Sequence, residues 1–259
     1  MKRAIFTVAT GAPRYAEMAL GLARSLSLIG DRTPRFVLSD HSDPRLARWF
    51  DDVLPPEEDG GLTFLRKLDG LRHTDADAIL FLDSDSIAFR RTDEIFTACH
   101  GKKFAVQGEV RTAGHWYGEL SQILPKYGLS GIQRFNGGLI YYERCSDVEA
   151  LFQKARLIAE GYDDTGLERF RGQVPDEPCI SLAMSLTGVG ELLPNELDFM
   201  NTPVGLIGKL ELSVREGKCA FLKRGNRVMH HRPAILHAAK YVNNYAYWRE
   251  LRELERLCG

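Results

Sequence analysis

The residues with the clearest chemical potential are two aspartates that follow directly on an apolar run. Residues 78–82 are all apolar, and Asp83 and Asp85 come next, with Ser84 between them. Such a run is typical of a buried strand, and in open α/β sheets ligands collect at the carboxyl ends of the strands. Two carboxylates there offer the hard oxygen ligands that Mg²⁺ or Mn²⁺ takes when it carries a phosphorylated substrate. A turn with helix-capping aspartates is the alternative, and we favour the metal site.

The elements that must position these aspartates alternate along the chain. Apolar residues over 4–10 predict a buried strand, and apolar residues at helical spacing over 16–26 predict a helix after it. The same signals predict further strands over 35–39, 104–107 and 138–142, and further helices over 43–50, 61–72, 118–126, 146–159, 179–186 and 243–257. This alternation is typical of the α/β class, with a mainly parallel central sheet flanked by helices.

Length and composition exclude several classes of protein. The chain has 259 residues, 44% of them hydrophobic, and 34 Lys and Arg against 35 Asp and Glu give a formal net charge of −1. A chain of this length and hydrophobic content can bury a sizeable core, which excludes intrinsic disorder. The balanced charge argues against a nucleic-acid-binding protein, whose phosphate contacts demand a basic excess. With no internal repeat and no linker-like tract, we expect a single domain over residues 1–259.

The cysteines and the apolar runs bear on the compartment. The five cysteines are widely spaced and include no Cys-x-x-Cys pair, which favours a reduced setting and gives no zinc signature. No run approaches the roughly 18 apolar residues that a membrane span requires. We therefore expect a cytoplasmic protein without a membrane span.

Six short segments occur in an informative order. They are residues 6–10 with Tyr15, 64–68, 82–85, 135–140, 175–178, and 235–237 with Lys240. In this order they resemble glycosyltransferase family 8, which includes glycogenin and bacterial lipopolysaccharide glycosyltransferases. The resemblance runs from Ala4 to about Lys240 and implies a single GT-A-like, Rossmann-related domain. Residues 1–110 would form its nucleotide-binding half, and residues 111–259 the half for donor sugar and acceptor, with a C-terminal helix.

The resemblance also implies a reaction and a cofactor. A sugar would move from a nucleotide-sugar donor, UDP-linked, to an acceptor with retention of anomeric configuration; the acceptor and the oligomeric state stay open. The metal ligands would be Asp83, Asp85 and His237. Two carboxylates and one imidazole favour Mn²⁺ over calcium, with Mg²⁺ as the other candidate ion. Without the family order, His237 would be interpreted as a half-buried packing residue.

The nucleotide would be held by residues near the predicted strand ends. The resemblance assigns to it Ala9, Thr10, Tyr15, Lys67, Asp83, Ser84 and Lys240. A uracil ring could stack on Tyr15, although this tyrosine could equally pack the first helix. Lys67 and Lys240 could neutralise phosphate oxygens, although a lone lysine is usually solvated.

The donor sugar would be held by a second group of residues. The resemblance assigns to it Asn136, Gly137, Gly138, Asp176 and Glu177, with Asp176 and Asn136 as catalytic residues. Asp176 could accept hydrogen bonds from sugar hydroxyls or stabilise a positively charged anomeric carbon, or it could cap the helix after Pro178. Asn136 beside two glycines offers an amide where the backbone can approach a sugar, or it marks a strand bulge.

The chain departs from the family pattern at two places. Glu177 stands where the family usually has Gln, and residues 238–240 replace the family's Gly and later Lys-Pro-Trp with Ala-Ala-Lys. These departures fall on the donor-sugar contacts and on the diphosphate cradle, and the metal motif is intact.

Two other functions fit parts of the pattern. Phosphohydrolases of the haloacid dehalogenase type also place Asp-x-Asp after an apolar strand, and Asp83 and Asp85 could serve as nucleophile and acid/base, with Asp163 and Asp164 as a later metal pair. That motif, however, lies about eighty residues into this chain rather than in the first strand. A non-catalytic nucleotide-sugar binding protein is the third hypothesis, which the intact Asp83, Asp85 and His237 disfavour.

Overall fold

A computed structural model describes residues 1–57, 63–224 and 229–259, and the structural statements below refer to these ranges. Contacts divide the chain into two compact units, each built from separate stretches. The first unit contains Met1–Lys2, Glu57–Ile79 and Cys99–Asn195, and the second contains Arg3–Pro56, Leu80–Ala98 and Glu196–Gly259. The division expected from the sequence, 1–110 and 111–259, concerns function and stays a prediction.

Thirteen strands and eight α-helices lie in the described ranges. The strands are β1 Arg3–Ala9, β2 Arg35–Ser39, β3 Asp52–Leu54, β4 Ala78–Leu82, β5 Ser86–Ala88, β6 Phe104–Arg111, β7 Ile132–Glu143, β8 Glu191–Leu193, β9 Met200–Asn201, β10 Leu206–Ser213, β11 Lys218–Lys223, β12 Met229–His231 and β13 Ile235–His237. The helices are α1 Arg14–Leu28, α2 Pro44–Trp49, α3 Gly70–His73, α4 Asp93–Cys99, α5 Leu120–Lys126, α6 Ser146–Glu160, α7 Asp176–Thr187 and α8 Tyr245–Cys258. Short 3-10 turns cover Thr63–Leu68, Tyr162–Asp164, Asn195–Leu197 and Ala239–Tyr241.

The main-sheet strands bear out the expected α/β class. In the second unit they run in the order β3-β2-β1-β4, and β1 pairs with β2, and β2 with β3, in parallel. In the first unit the order is β7-β6-β8, where β6 is parallel to β8 and antiparallel to β7. Every residue of β4 is buried, as its apolar sequence predicts. The mainly parallel sheet with flanking helices is therefore confirmed.

The prediction of one continuous helix over 61–72 is wrong. Residues 61–62 lie outside the described ranges, and the rest splits into the 3-10 turn Thr63–Leu68 and the four-residue helix α3. The tighter turn buries Leu65, Lys67 and Leu68, so tertiary packing overrides the helical pattern here. Helix α7 begins at Asp176, three residues before the expected start, because Pro178 is tolerated in a first helical turn.

Two small sheets in the second unit escaped the sequence analysis. Strands β10, β11 and β12 form an antiparallel sheet, and β13 lies between β5 and β9, antiparallel to β5 and parallel to β9. The outer strands of the second sheet have only two or three residues, too few for a period of two to be recognised. No helix among the described residues has the length and apolar character to cross a bilayer.

Helix α8 packs against α1 through a glycine. The buried Leu251 of α8 lies where a Cβ on Gly21 would have to go. Tyr247 and Leu254 of α8 are fully buried in the same apolar cluster, together with Ile87 and Leu236. This packing holds the C-terminal helix against the segment that contains β5 and β13.

We expect Gly21→Ala to destabilise the protein, although alanine gains about 1 kcal/mol over glycine in a helix interior. The new methyl group overpacks against Leu251, which costs about 1–3 kcal/mol, so we expect a net loss of about 1 kcal/mol in the free energy of unfolding measured in urea. In a Leu251→Ala background the same substitution should become stabilising. A gain in stability in the wild-type background would contradict this account of the helix contact.

Candidate functional site

Asp83, Asp85 and His237 come together in the second unit. One ligand atom from each lies within 4.8 Å of the other two. His237 Nε2 is 3.4 Å from Asp83 Oδ2 and 3.2 Å from Asp85 Oδ1. The side chains of Asp85 and His237 are 15% and 10% exposed, so the cluster is sheltered but not sealed. We call these three residues the metal cluster.

Backbone pairing explains how residues far apart in the chain meet in the metal cluster. Strand β5 starts directly after Asp85, and its Ser86 pairs with His237 across the antiparallel β5–β13 ladder. The Ala238 amide donates to the Asp85 carbonyl at 3.1 Å, and the Ala239 amide donates to Asp85 Oδ2 at 2.9 Å. Ala239 has φ = 50°, a left-handed conformation that a non-glycine residue seldom adopts. This strained conformation places the Ala239 amide at hydrogen-bonding distance from the Asp85 carboxylate.

The surroundings of Asp85 in the metal cluster favour its ionised form. Burial works to raise the pKa of Asp85, but the charge and hydrogen bond of His237, together with the Ala239 amide, outweigh burial and hold this pKa below its ordinary value. Two carboxylates facing one imidazole leave a negative site with two oxygen donors and one nitrogen donor. Such a donor set fits Mn²⁺ or Mg²⁺ better than a soft metal.

Of the residues assigned to the nucleotide, all but Lys67 lie in the second unit, either around the end of β1 or in the segments that carry the metal cluster. Ala9 is the buried last residue of β1, and Thr10 and Tyr15 lie on either side of the Gly11 turn. Tyr15 packs against apolar clusters of the second unit, which supports its packing role, although its side chain is only partly buried. The Gly11 amide donates to both carboxylate oxygens of Asp40, at 3.0–3.1 Å. Sequence analysis missed Asp40, whose position just after β2 was the available signal.

Ser84 and Lys240 differ in exposure. Ser84 is 7% exposed, between the two aspartates. Lys240 lies in the 3-10 turn Ala239–Tyr241, which follows the metal cluster directly in the chain, and its side chain is exposed. An exposed lysine next to a negative cluster can reach an anion bound there at little desolvation cost.

A second group of charged residues forms in the first unit. Lys67 Nζ lies 2.7 Å from Asp176 Oδ2, as an ion pair not aligned as a hydrogen bond, and it donates to the Gly137 carbonyl at 3.0 Å. The Gly137 amide donates to Glu177 Oε1 at 2.9 Å, and the Tyr117 hydroxyl donates to Glu177 Oε2 at 3.1 Å. Lys67, Tyr117, Gly137, Asp176 and Glu177 are called the carboxylate cluster below.

Position 137 requires glycine because the cluster closes around it. A Cβ there would lie 2.6 Å from Asp176 Oδ2 and 3.0 Å from Lys67 Nζ. The ladder between β6 and β7 loses register opposite residues 136–139, so a bulge frees the backbone groups of Gly137 for side-chain partners. The alternative of a strand bulge is therefore correct as structure, and bulges often re-aim residues beside functional sites. Asn136 stays within this bulge, where its Oδ1 accepts from the Gly138 amide at 3.0 Å.

The structure does not support the interpretation of Asp176 as a helix cap. Asp176 is the first residue of α7, Pro175 occupies the capping position, and no side chain caps the helix. The Asp176 carboxylate instead faces Lys67, whose side chain is 8% exposed. Lys67 was expected to contact the nucleotide, and the structure places it beside residues assigned to the sugar.

Glu177 is the most strongly perturbed group of the carboxylate cluster. Burial and the neighbouring Asp176 carboxylate raise the pKa of Glu177 to about 7, against the opposing effects of the Gly137 amide, Lys67 and the Tyr117 hydroxyl. Burial, followed by the charges of Glu177 and Asp176, also raises the pKa of Tyr117. Tyr117 was missed by the sequence analysis, since it lies in a loop and belongs to no recognisable motif. Two carboxyl groups therefore share one ammonium, and one of them holds a proton near neutrality.

Solved structures show the same fold. A glutamine-to-glutamate active-site mutant of LgtC matches 97% of this chain and 95% of that chain, with a TM-score of 0.62 and 17% identity. The galactosyltransferase LgtC in complex with donor and acceptor sugar analogues matches 96% and 94%, with a TM-score of 0.62 and 18% identity. The glycosyltransferase GlyE of Streptococcus pneumoniae TIGR4 matches 77% of this chain and 47% of that chain, with a TM-score of 0.51 and 15% identity.

Sequence comparison adds nothing to this likeness. No protein-family model matches the chain, and no curated protein matches its sequence. At identities of 15–18% the likeness establishes the fold, which is the GT-A fold that the resemblance implied. The resemblance to glycosyltransferase family 8 is thus confirmed at the level of the fold.

The raised pKa of Glu177 makes stability depend on pH. The unfolded chain releases this proton near pH 4.5 and the folded protein near pH 7. The contribution of Glu177 to the free energy of unfolding is therefore fully present below pH 4.5 and is lost as the pH rises through 7. We expect Glu177→Gln to increase the free energy of unfolding by up to about 3 kcal/mol more at pH 8 than at pH 4.5, measured in urea. The exposed Glu160→Gln is the control, and an equal pH dependence in both variants would contradict the assignment.

Proposed function

We propose that the protein is a metal-dependent glycosyltransferase that moves a sugar from a UDP-linked donor to an acceptor, with retention of anomeric configuration. The observation that carries this proposal is the metal cluster of Asp83, Asp85 and His237, which occurs on a fold shared with glycosyltransferases. LgtC is described as a galactosyltransferase that takes donor and acceptor sugars, and we extend that class of reaction, without its particular sugars, to this chain.

The metal cluster would hold Mn²⁺, with Mg²⁺ as the other candidate. When bound, the ion neutralises the charge that develops on a diphosphate as its bond to the sugar breaks. Asp83 and Asp85 supply two carboxylates, and His237 together with the Ala239 amide holds the pKa of Asp85 below its ordinary value. Asp85 therefore needs no deprotonation at neutral pH. His237 supplies the nitrogen donor that disfavours calcium.

In this proposal the nucleotide is bound by residues at the end of β1 and by residues in or next to the metal cluster. Ala9 and Thr10 offer backbone groups, Tyr15 offers the exposed part of its ring, and Ser84 offers a hydroxyl between the two aspartates. Lys240 is exposed and adds positive charge for the phosphates. Lys67 is committed to Asp176 and Gly137. For Lys67 we therefore propose a role in holding Asp176 rather than in direct phosphate binding.

The sugar contacts in this proposal belong to the carboxylate cluster and the β7 bulge. The Asp176 carboxylate lies 2.7 Å from the Lys67 ammonium and can accept hydrogen bonds from sugar hydroxyls or stabilise positive charge at an anomeric carbon. Asn136 and Gly138 offer an amide and a close backbone approach. Glu177 stands where the family usually has Gln, and LgtC with a glutamine-to-glutamate change is described as an active-site mutant. Glutamate in such a position is thus compatible with the fold.

The two other hypotheses receive less support. A phosphohydrolase would use Asp163 and Asp164 as a metal pair, but these residues form an exposed 3-10 turn in which Asp163 pairs with Arg169 at 2.7 Å. A pure binding protein has no need for the buried ion pair of Lys67 and Asp176. The glycosyltransferase proposal accounts for both clusters.

We expect Asp85→Asn to lower turnover of a UDP-sugar by roughly 100-fold or more, because the substitution keeps the side-chain shape and removes a ligand charge. Calorimetry should show Mn²⁺ binding weakened by about tenfold or more, while circular dichroism shows a preserved fold. The exposed Asp93→Asn in the same unit is the control. Near-normal turnover of Asp85→Asn at saturating Mn²⁺ would rule out the metal cluster, and rapid hydrolysis of a phosphate monoester by the wild type, with no nucleotide sugar consumed, would favour the phosphohydrolase.

We expect Asp176→Asn to lower kcat by about 100- to 1,000-fold while UDP affinity changes little, because the carboxylate acts on charge that develops at the sugar. Glu177 can then pair with Lys67, so the fold should survive, which a melting curve checks. The reverse pattern, a lower melting temperature with kcat intact, would make Asp176 only the structural partner of Lys67.

A further inference from the structure

The loop between β6 and α5 brings a tyrosine hydroxyl onto Glu177. The Tyr117 hydroxyl donates to Glu177 Oε2 at 3.1 Å, and the Gly137 amide donates to Oε1 at 2.9 Å. Each carboxyl oxygen of Glu177 thus has one protein donor, from two different elements. Two donors on two oxygens fix both the position and the rotation of a carboxyl group.

The backbone of this loop is strained in a way that favours a specific role for Tyr117. Tyr117 has φ = 49°, a left-handed conformation that is a genuine outlier for a bulky residue. Gly118 follows with φ = 122°, and a Cβ there would lie 3.0 Å from the Gly166 carbonyl oxygen. The Glu168 amide donates to the Tyr117 carbonyl at 2.8 Å, which holds the loop from the other side. Strain of this kind persists where surrounding contacts enforce it, and it concentrates at functional sites.

The charges that face Glu177 explain why a hydroxyl is needed there. Asp176 comes from the same helix, Lys67 from the turn Thr63–Leu68, and Tyr117 from the loop. Lys67 lies against Asp176 and donates to the Gly137 carbonyl, whereas the hydrogen bonds that the Glu177 carboxyl accepts come from two neutral donors, the Tyr117 hydroxyl and the Gly137 amide. Burial keeps Tyr117 protonated, since its pKa is raised, and a phenol can both donate and accept. Tyr117 can therefore hold Glu177 whether or not that carboxyl carries its proton.

We propose that Tyr117 is a positioning residue, which holds the Glu177 carboxyl through its hydroxyl in the orientation that sugar transfer requires. This inference rests on the proposed function. It also accounts for glutamate where the resembling family usually has glutamine: an amide at this position would accept from Gly137 through its oxygen and donate to the Tyr117 hydroxyl through its nitrogen. The same tyrosine serves either side chain.

The first test measures the pKa of Glu177, which reports on its contact with Tyr117 and requires no enzymatic turnover. Carboxyl ¹³C NMR follows the titration of Glu177 in the wild type, in Tyr117→Phe and in Tyr162→Phe. Tyr162 is the matched control, because its hydroxyl donates to the Glu168 carbonyl at 2.9 Å and so supports the same loop without touching Glu177. We expect the Glu177 pKa to rise in Tyr117→Phe, because the ionised form loses a donor, and to stay unchanged in Tyr162→Phe. Equal effects of both variants on the Glu177 pKa, or no effect of Tyr117→Phe, would overturn the proposal.

The second test reads the consequence for the reaction. With a UDP-sugar and Mn²⁺, we expect Tyr117→Phe to lower kcat by about tenfold with little change in donor KM, and Tyr162→Phe to leave both near wild type. In a Glu177→Ala background, Tyr117→Phe should cause no further loss, because the positioned group is gone. A full additional tenfold loss in that background would overturn the proposal.

The two tests separate this inference from the function on which it rests. If the wild type consumes no nucleotide sugar while Tyr117→Phe still raises the Glu177 pKa, the proposed glycosyltransferase function fails and the contact stands. If nucleotide sugars are consumed and Tyr117→Phe changes neither kcat nor the Glu177 pKa, the function stands and the positioning role fails.

Discussion

The pairing of β5 with β13 is the interaction on which the metal cluster depends. It joins two three-residue strands, and its register sets Ser86 against His237, one residue beyond Asp85. Neither strand is stable alone, so the burial of Ile87 and Leu236 against α8 must supply the free energy that keeps them paired. Helix α8 therefore supports the ligand geometry although it contributes no ligand. The register of this small sheet, held by the apolar cluster, places the His237 imidazole 3.2 Å from Asp85 Oδ1.

The two clusters shift the pKa of a buried carboxyl group in opposite directions. In the metal cluster, an imidazole and a backbone amide hold the pKa of Asp85 below its ordinary value in spite of burial. In the carboxylate cluster, one ammonium serves two carboxyl groups, and the pKa of Glu177 rises to about 7. The difference lies in the neighbouring charges: the imidazole of His237 faces Asp85, whereas burial and the adjacent Asp176 carboxylate outweigh the donors that contact Glu177.

The sequence was most informative where one local signal decides the structure. Strand β4 was predicted at its observed bounds, because five consecutive apolar residues before two aspartates leave few alternatives. The three predicted metal ligands were chosen through segment order, and the structure brings their side chains together. Contacts between residues far apart in the chain were not predicted. The 3-10 turn at Thr63–Leu68 buries Lys67, whose partner Asp176 lies more than a hundred residues later, and no local periodicity indicates that pairing. Tyr117 escaped for the same reason, since a lone tyrosine in a loop gains its meaning only from the Glu177 carboxyl that it contacts.

Glu177 also shows which of two opposing effects prevails at a helix start. It is the second residue of α7, where the helix dipole favours a negative charge by about 0.3–1 kcal/mol. Burial and the Asp176 carboxylate act in the other direction, and a rise of the pKa from 4.5 to about 7 corresponds to about 3 kcal/mol. Desolvation therefore outweighs the dipole by several-fold, even with two hydrogen-bond donors on the carboxyl. A chain that needed only a negative charge here would leave this residue exposed or give it a cation of its own. Because Lys67 lies against Asp176 instead, Glu177 is left as the acid that keeps its proton near neutral pH.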